Sequence, residues 1–539
     1  GVALAAPAAA WAHAALLKTV PAASAEVDTP PRMLRLTYDE VVEPRFAVIS
    51  VTDAAGHQQV DGIVRHNPSD PYELDAPLKR SAEGWYLVFW RVISADGHPV
   101  RGVFTYRIGP NPGPPPQFTV PSLTETAVTP GLIALRWLTF ISVMASIGLF
   151  FLRAVIARPI VDGLRRVTVA FGIAAVVALV ATPIYVLLAT AQFALRSFWS
   201  FGALVPLMDV SQFGRGYLRL EELFALFAGA AAVAIWLDRP ERGRRSVAAL
   251  MSLWGAVLAA GAVLLVPGAA GHAAQTPPRA ASLLLDWAHL AAGSIWVGGL
   301  IGLAVLLTCV AAERLLVCVR RFSDVAFVSV LVLLGSGVGA AVVHLPTLAS
   351  LWQTGYGKTI IVKASILLAA MLVASVNLVR TRRAAALLWQ TVAVEIVLVT
   401  SAVVAAAVLS SLPPPPKALA SLGKPAATVG PGAVTEVFER NGYRVEVRVT
   451  PNKVAVPDTF DVRLTKNGAP VPGATVLVIF AMLDMEMPNQ EYKLDEVSPG
   501  DYARSSEALV MVGRWGVTFE IEPPGASAFD VVVVDHAAG

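Results

Sequence analysis

The sequence predicts a multidomain membrane protein in three parts: an all-β Greek-key barrel or sandwich, an eight-helix all-α transmembrane bundle, and an all-β immunoglobulin-like sandwich. Three observations carry this. The chain is 55% hydrophobic and only 15% charged, against roughly 25% charged in soluble domains. Eight apolar runs crowd between residues 131 and 411, each near the ~20 residues that cross a bilayer core as a helix. On either side the pattern changes to the period-two alternation of half-buried strands.

Residues 1–12, GVALAAPAAAWA, are small and apolar and end in Ala10-Trp11-Ala12, the small-x-small pattern of an export cleavage site. They read as a signal-peptide remnant whose removal leaves His13 as the mature N-terminus. Residues 13–109 carry short β-branched and aromatic runs, RMLRLTYDE, RFAVISVTD, GWYLVFWRVI and GVFTYRIG, parted by turn residues, as in a small β domain. Residues 110–130 form a proline-rich linker, stiff enough to act as a spacer. The spans of the 131–411 bundle are expected at 131–152, 167–190, 217–237, 247–267, 283–308, 324–345, 358–379 and 386–410. A second proline and glycine linker, 412–433, leads to residues 434–539, where YRVEVRVTP, FDVRLTKNG and FDVVVVD alternate again.

Arginines gather in the odd loops: Arg153, Arg158, Arg165 and Arg166, then Arg239, Arg242, Arg244 and Arg245, then Arg314, Arg320 and Arg321, then Arg380, Arg382 and Arg383. The even loops are poorer in them. The positive-inside rule makes the odd loops cytoplasmic and places both termini and both β domains outside, in keeping with the export signal. The only cysteines, Cys309 and Cys318, lie in the membrane block, so each β domain must stand on its core without a disulfide. No Walker loop, dinucleotide fingerprint or basic and aromatic nucleic-acid surface occurs.

The stretch DWAHLAAGSIWVGGL sets Asp286 and His289 on one helix face, since positions i and i+3 are neighbours. Ionisable groups inside a span are costly and point to function; the alternative is that the pair only pins neighbouring helices. All eight histidines fall in the outward β domains or the outer parts of the bundle: His13, His57, His66, His98, His272, His289, His344 and His536. Imidazole is the commonest protein ligand for transition metals, so an external metal-handling face is expected. A mature His13 offers its α-amine and ring to one metal, a chelate suited to Cu(II), and Asp96 and His98 flank Gly97 as candidates to complete the set. His272, His289 and His344 form a candidate entrance to the membrane, with Asp286 able to orient the His289 ring. Glu221, Lys363 and Glu395 are further membrane candidates: interfacial snorkelling is the alternative for Glu221, and Lys363 is either the partner of Glu395 or a structural clamp.

HAALLKTVPAASAEVDTPP, LTYDEVVEP and WRVISADGHPVRGVFTYRIG resemble the CopC family of exported copper-binding β-barrels. The resemblance implies Cu(II) held by His13, Asp96 and His98, with Glu40 at an acidic supporting position. Only Met33 is present where some members carry a methionine-rich Cu(I) site. Gly271-His272-Ala273, the Asp286–Leu300 stretch and YGKTIIVKASILLAAMLVASVNLV, with Lys363 and Asn377, resemble the CopD family of copper-resistance membrane proteins, which implies inward movement of copper across a bacterial cytoplasmic membrane. LDMEMPNQEYKLDEVSPGDYARSSEALVMVGRWGVTFEI resembles the YtkA-like family, which makes Met482, Met485, Met487 and Met511 candidate Cu(I) thioethers.

The expected protein is therefore a copper transporter rather than an enzyme, with copper ions, lipid and extracytoplasmic copper chaperones as partners. The alternative is a membrane-anchored sequestration or delivery protein without transport. An oxidase built on the His13 chelate is a further option, against which Asp96 would occupy coordination space that such chemistry needs.

Overall fold

The computed structural model describes all residues except 1–13, 15, 24, 96, 114–128, 159–163, 239–243, 275, 277, 383–388, 413–414, 416–417, 423, 455, 485–488, 511 and 539. The chain forms two compact units, one holding the helices and the other holding both β regions.

The first β region has eight strands: β1 (Leu16–Val20), β2 (Glu26–Val27), β3 (Met33–Tyr38), β4 (Val48–Asp53), β5 (Arg65–Asn67), β6 (Asp70–Pro77), β7 (Gly84–Ile93) and β8 (Pro99–Ile108). They make two four-stranded sheets, β1-β3-β6-β5 and β2-β8-β7-β4. Alternation sends Leu34, Leu36, Leu74 and Ala76 of one sheet, and Val88, Trp90, Val92, Phe104 and Tyr106 of the other, into a shared core. Gly102 pairs with Trp90 across the sheet, and a Cβ there would lie 2.7 Å from the indole, so only glycine admits the ring. Ala14, next to His13, is itself buried in this core.

The second β region comprises β9 (Ala427–Val429), β10 (Val434–Arg440), β11 (Tyr443–Thr450), β12 (Asp458–Lys466), β13 (Ala469–Pro470), β14 (Thr475–Met482), β15 (Gln490–Ser498), β16 (Asp501–Ser506), β17 (Gly513–Glu522) and β18 (Phe529–Ala537). These form one continuous ten-stranded sheet. It wraps around its own core: Tyr443 of β11 stacks on Phe529 of β18 at 5.5 Å, and Phe460 of β12 meets Phe480 of β14 at 4.8 Å.

The two β regions pack together. Strand β2 pairs β8 only at Arg107 and Ile108, which leaves the rest of that edge open, and an open edge invites pairing. The segment after β16 covers it. Val103 N–H donates to the Val510 carbonyl at 3.0 Å, Thr105 N–H donates to Glu507 Oε2 at 2.7 Å, and the Thr105 hydroxyl donates to the other carboxylate oxygen. Thr105 and Glu507 are both buried. The second β domain is thus fastened to the strand that begins directly after His98.

In the second β core, Asp458 is fully buried. Burial raises its carboxyl from 3.8 to about 7, nearby Asp535 adds to this, and the N–H groups of Lys453 and Asn452 oppose it. The folded domain keeps a proton that the unfolded chain releases above pH 3.8. The contribution is therefore fully present below that pH and is lost as pH rises through about 7. The melting transition of the β unit in the full chain is expected to fall by about 5 °C or more between pH 5 and pH 7.5. Asp458→Asn should flatten that slope; an unchanged slope would assign it elsewhere.

Among the described residues, eight helices of the first unit are long and apolar enough to cross a membrane, which makes this a multi-pass membrane protein. They are α1 (Pro130–Phe151, continued by a π turn over Leu152–Ile156), α2 (Leu164–Phe193), α3 (Gln212–Leu237), α4 (Val247–Ala270), α5 (Arg279–Leu307), α6 (Ala312–His344), α7 (Gly355–Arg382) and α8 (Trp389–Leu409). Helix α6 begins at Ala312 rather than near residue 324, because Leu315, Cys318, Val319 and Phe322 continue a buried stripe at helical spacing. Cys318 therefore packs inside this helix interface. Helices α1 and α5 cross at Gly148 and Gly298, where a Cβ on the first would lie 2.7 Å from the Cα of the second, the close approach that small residues permit in membranes. Buried Arg136 of α1 joins three helices, donating to Tyr185 Oη of α2 at 2.7 Å and to Ser410 Oγ beyond α8 at 3.1 Å. At the opposite end, Asp238 binds Arg153 at 3.2 Å, Arg158 at 3.0 Å and Arg245 at 3.5 Å, so arginines of two odd loops close on one carboxylate.

Candidate functional site

The polar centre of the bundle lies around His289. Ser336 of α6 donates its hydroxyl hydrogen to the Val332 carbonyl at 2.6 Å, as serines in helices do with the carbonyl one turn back. Its oxygen faces His289 Nδ1 at 3.1 Å and, with its hydrogen already used, acts there as acceptor. A hydroxyl that donates to its own helix accepts from the ring, so this contact suits the tautomer with its hydrogen on Nδ1. The lone pair of the neutral ring then sits on Nε2, which faces Lys363 Nζ of α7 at 3.4 Å. The nitrogen available to a metal is the one covered by an ammonium group.

Asp286 occupies the same region and attracts Lys363. It does not orient the imidazole, since both ring nitrogens are served by Ser336 and Lys363. Its carboxylate lies against Gly268 of α4, where a Cβ would come within 2.6 Å of Oδ2. Three side chains of alternating charge and donor character, Asp286, Lys363 and His289, thus meet between α4, α5, α6 and α7.

His344 ends α6, with Nδ1 at 2.8 Å from the Ala340 carbonyl. It stands about 12 Å along the helix from Ser336, so His289 and His344 do not share one metal. His272 belongs to a short 3-10 turn, His272–Ala274, and its side chain lies outside the described residues. Among the described residues, no group of three or more His, Cys, Asp or Glu side chains comes together at metal-binding separation. Glu221 is half-buried in α3, and among the described residues its Oε2 has no partner at hydrogen-bond geometry.

Glu395 of α8 is 4% exposed. It accepts from Trp296 Nε1 of α5 at 3.1 Å and from Asn377 Nδ2 of α7 at 2.9 Å. Lys363 is not its partner. Thr391 donates to Asn377 Oδ1 at 2.6 Å and so fixes which end of the amide meets the carboxylate.

In the first β region, His13 and Asp96 lie outside the described residues, while Ser94, Ala95, Gly97 and His98 beside Asp96 are described. Gly97, at φ +87°, takes a left-handed conformation that favours glycine. Ser94 and His98 exchange backbone and hydroxyl bonds of 2.9–3.1 Å. Glu40 accepts from the Ala95 N–H at 2.8 Å, so the acidic residue picked from sequence braces this turn. His57 pairs with Asp53 at 3.2 Å on the surface. In the last β region Met482 is a core side chain packed against Gly513, whereas Met485, Met487 and Met511 lie outside the described residues.

Three family models match in order: the CopC domain over residues 16–109, copper resistance protein D (CopD) over 316–409, and YtkA-like over 439–520. The chain therefore belongs to the CopC and CopD class of copper-resistance proteins, with a YtkA-like domain after the membrane block. Over almost its whole length it is similar to the copper transport protein CutJ of Bacillus subtilis (strain 168), with 26% identity over 533 residues, 95% of this chain and 93% of that protein. Its first β region is 34% identical over 99 residues to protein YobA of Escherichia coli (strain K12), covering 18% of this chain and 80% of that one. Among solved structures, CopC from Methylosinus trichosporium OB3b is 30% identical and matches 19% of this chain and 100% of its own, with a TM-score of 0.18. PcoC, a methionine-rich copper resistance protein from Escherichia coli, is 26% identical over 18% of this chain and 99% of its own, with a TM-score of 0.17.

Proposed function

We propose that this protein captures Cu(II) outside the cytoplasm on its first β domain, through His13, Asp96 and His98, and moves copper inward through the helical bundle by way of His289. The observation that carries the membrane step is the setting of His289 inside its span, with Nδ1 against Ser336 and Nε2 against Lys363. Ser336 suits Nδ1 as the donor, which leaves Nε2 as a ligand nitrogen inside a span, covered only by the movable tip of a lysine. An arriving copper ion replaces that ammonium at Nε2, and Lys363 retreats towards Asp286. Support comes from the CopC and CopD matches, and from the name of CutJ, a copper transport protein similar along nearly the whole chain. The arginine-rich odd loops support an outward-facing position for both β domains.

A second reading, a membrane-anchored sequestration or delivery protein, draws on the way the two β domains share the Thr105–Glu507 contact as one unit. Copper accumulation in proteoliposomes separates the two readings. A transporter fills vesicles above the level of protein-free liposomes, whereas an anchor leaves them at that level.

A further inference from the structure

We infer that the loop between α2 and α3 and the loop between α6 and α7 are lipid anchors, which lay exposed tryptophans into the headgroup boundary at the end of the bundle opposite the arginine-rich loops. The first loop, residues 194–211, presents an apolar knob. The chain leaves α2 through Leu195, at φ +51°, and then folds into two short turns, Phe201–Leu204 and Val205–Leu207. Leu204 is fully buried and fixes one side of the loop, while Trp199 is 76% exposed, with Leu195, Phe201 and Val205 exposed beside it. Phe198, Trp199 and Phe201 meet edge to face, with ring centroids 5.2, 5.7 and 6.0 Å apart, so they act as one surface. Arg215 of α3 holds the far end of the loop by donating to the Asp209 and Val210 carbonyls at 3.2 and 2.6 Å.

The loop between α6 and α7, residues 345–354, repeats the feature. Trp352 stands on a one-turn helix, Ser350–Gln353, whose Ser350 is buried, and Trp352 is 58% exposed beside exposed Leu348. Contiguous apolar surface of this kind marks a contact when it is left uncovered.

The occupant is lipid. On α2 the exposed residues Ile173, Val176, Val180 and Ile184 recur at helical spacing. This stripe faces lipid because α2 is a span, and the knob continues the surface past the end of the helix. Tryptophan suits the boundary there, since its ring is apolar and its N–H is polar. Among the described residues, neither Trp199 nor Trp352 has a hydrogen-bond partner for its indole N–H. Trp287 and Trp296, by contrast, donate within the bundle, to the Gly261 carbonyl at 2.9 Å and to Glu395 at 3.1 Å. A lipid ester carbonyl or interfacial water supplies the acceptor that the protein does not.

The test is fluorine NMR of the full chain labelled with 5-fluorotryptophan and held in lipid nanodiscs. The chain has twelve tryptophans, and Trp199→Phe and Trp352→Phe serve only to assign two resonances, so the measurement itself is made on the wild-type sequence. Where either variant fails to fold, the tyrosine replacement assigns instead. One sample carries lipid with a nitroxide near the headgroup, and the other an aqueous gadolinium chelate. We expect both resonances to broaden at least about threefold more with the lipid-borne label, since a ring in the headgroup boundary meets lipid over most of its surface. Buried Trp296 gives the baseline. Stronger broadening by the aqueous chelate would place the loops in water and overturn the anchor. Broadening by neither label would mean that protein covers the patch, which overturns it equally.

Discussion

Retaining a single residue ahead of His13 is expected to weaken Cu(II) binding by the full chain by about a hundredfold or more, the upper end of what disturbing a metal site's support costs. The α-amine and imidazole of an N-terminal histidine bind one ion as a chelate, and an amide nitrogen cannot replace the amine. Beside the proposed ligands, Ala14 lies in the core, Glu40 accepts from the Ala95 N–H, and Ser94 is hydrogen-bonded to His98. Competition titration against a Cu(II) chelator measures the loss, and an affinity unchanged by the added residue would remove His13 from the ligand set.

Lys363→Leu is expected to raise the copper affinity of the bundle at least about tenfold. Lys363 Nζ stands 3.4 Å from His289 Nε2, so the ammonium and a metal ion exclude each other there. Two like charges about 4 Å apart repel by roughly 4 kcal/mol where the effective dielectric is near 20, and a tenfold gain needs only about 1.4 kcal/mol. Loss of the lysine also leaves Asp286 without its cation, which favours an incoming one. The gain should vanish in the double variant with His289→Ala. A Lys363→Leu protein that binds copper no more tightly than wild type would show that the lysine clamps the helices and does not compete for the ring.

Much of this arrangement was legible in the chain. The eight spans follow from run length, and the shared face of Asp286 and His289 follows from helical spacing. What spacing could not supply was the partner of each group, because partners come from other helices. The i, i+3 relation suggested Asp286 as the orienting group for the imidazole, but a neighbouring serine from α6 holds the ring. Lys363 was a candidate partner for Glu395, yet it meets His289, while Trp296 and Asn377 hold the carboxylate. Hydropathy starts the sixth span at residue 324 because the preceding turns are charged, although their buried stripe of Leu315, Cys318, Val319 and Phe322 extends the helix back to Ala312. The Thr105–Glu507 contact left no local signal at all: it closes an open sheet edge with a segment from the far end of the chain.

Copper uptake into proteoliposomes carrying wild-type protein or His289→Ala, at matched reconstitution and orientation, addresses the membrane step most directly. Wild-type vesicles should accumulate copper well above protein-free liposomes, and His289→Ala should bring uptake down to near that background while Cu(II) binding at the first β domain stays intact. Equal uptake by the two proteins would show that copper crosses without His289 and would contradict the route set out here.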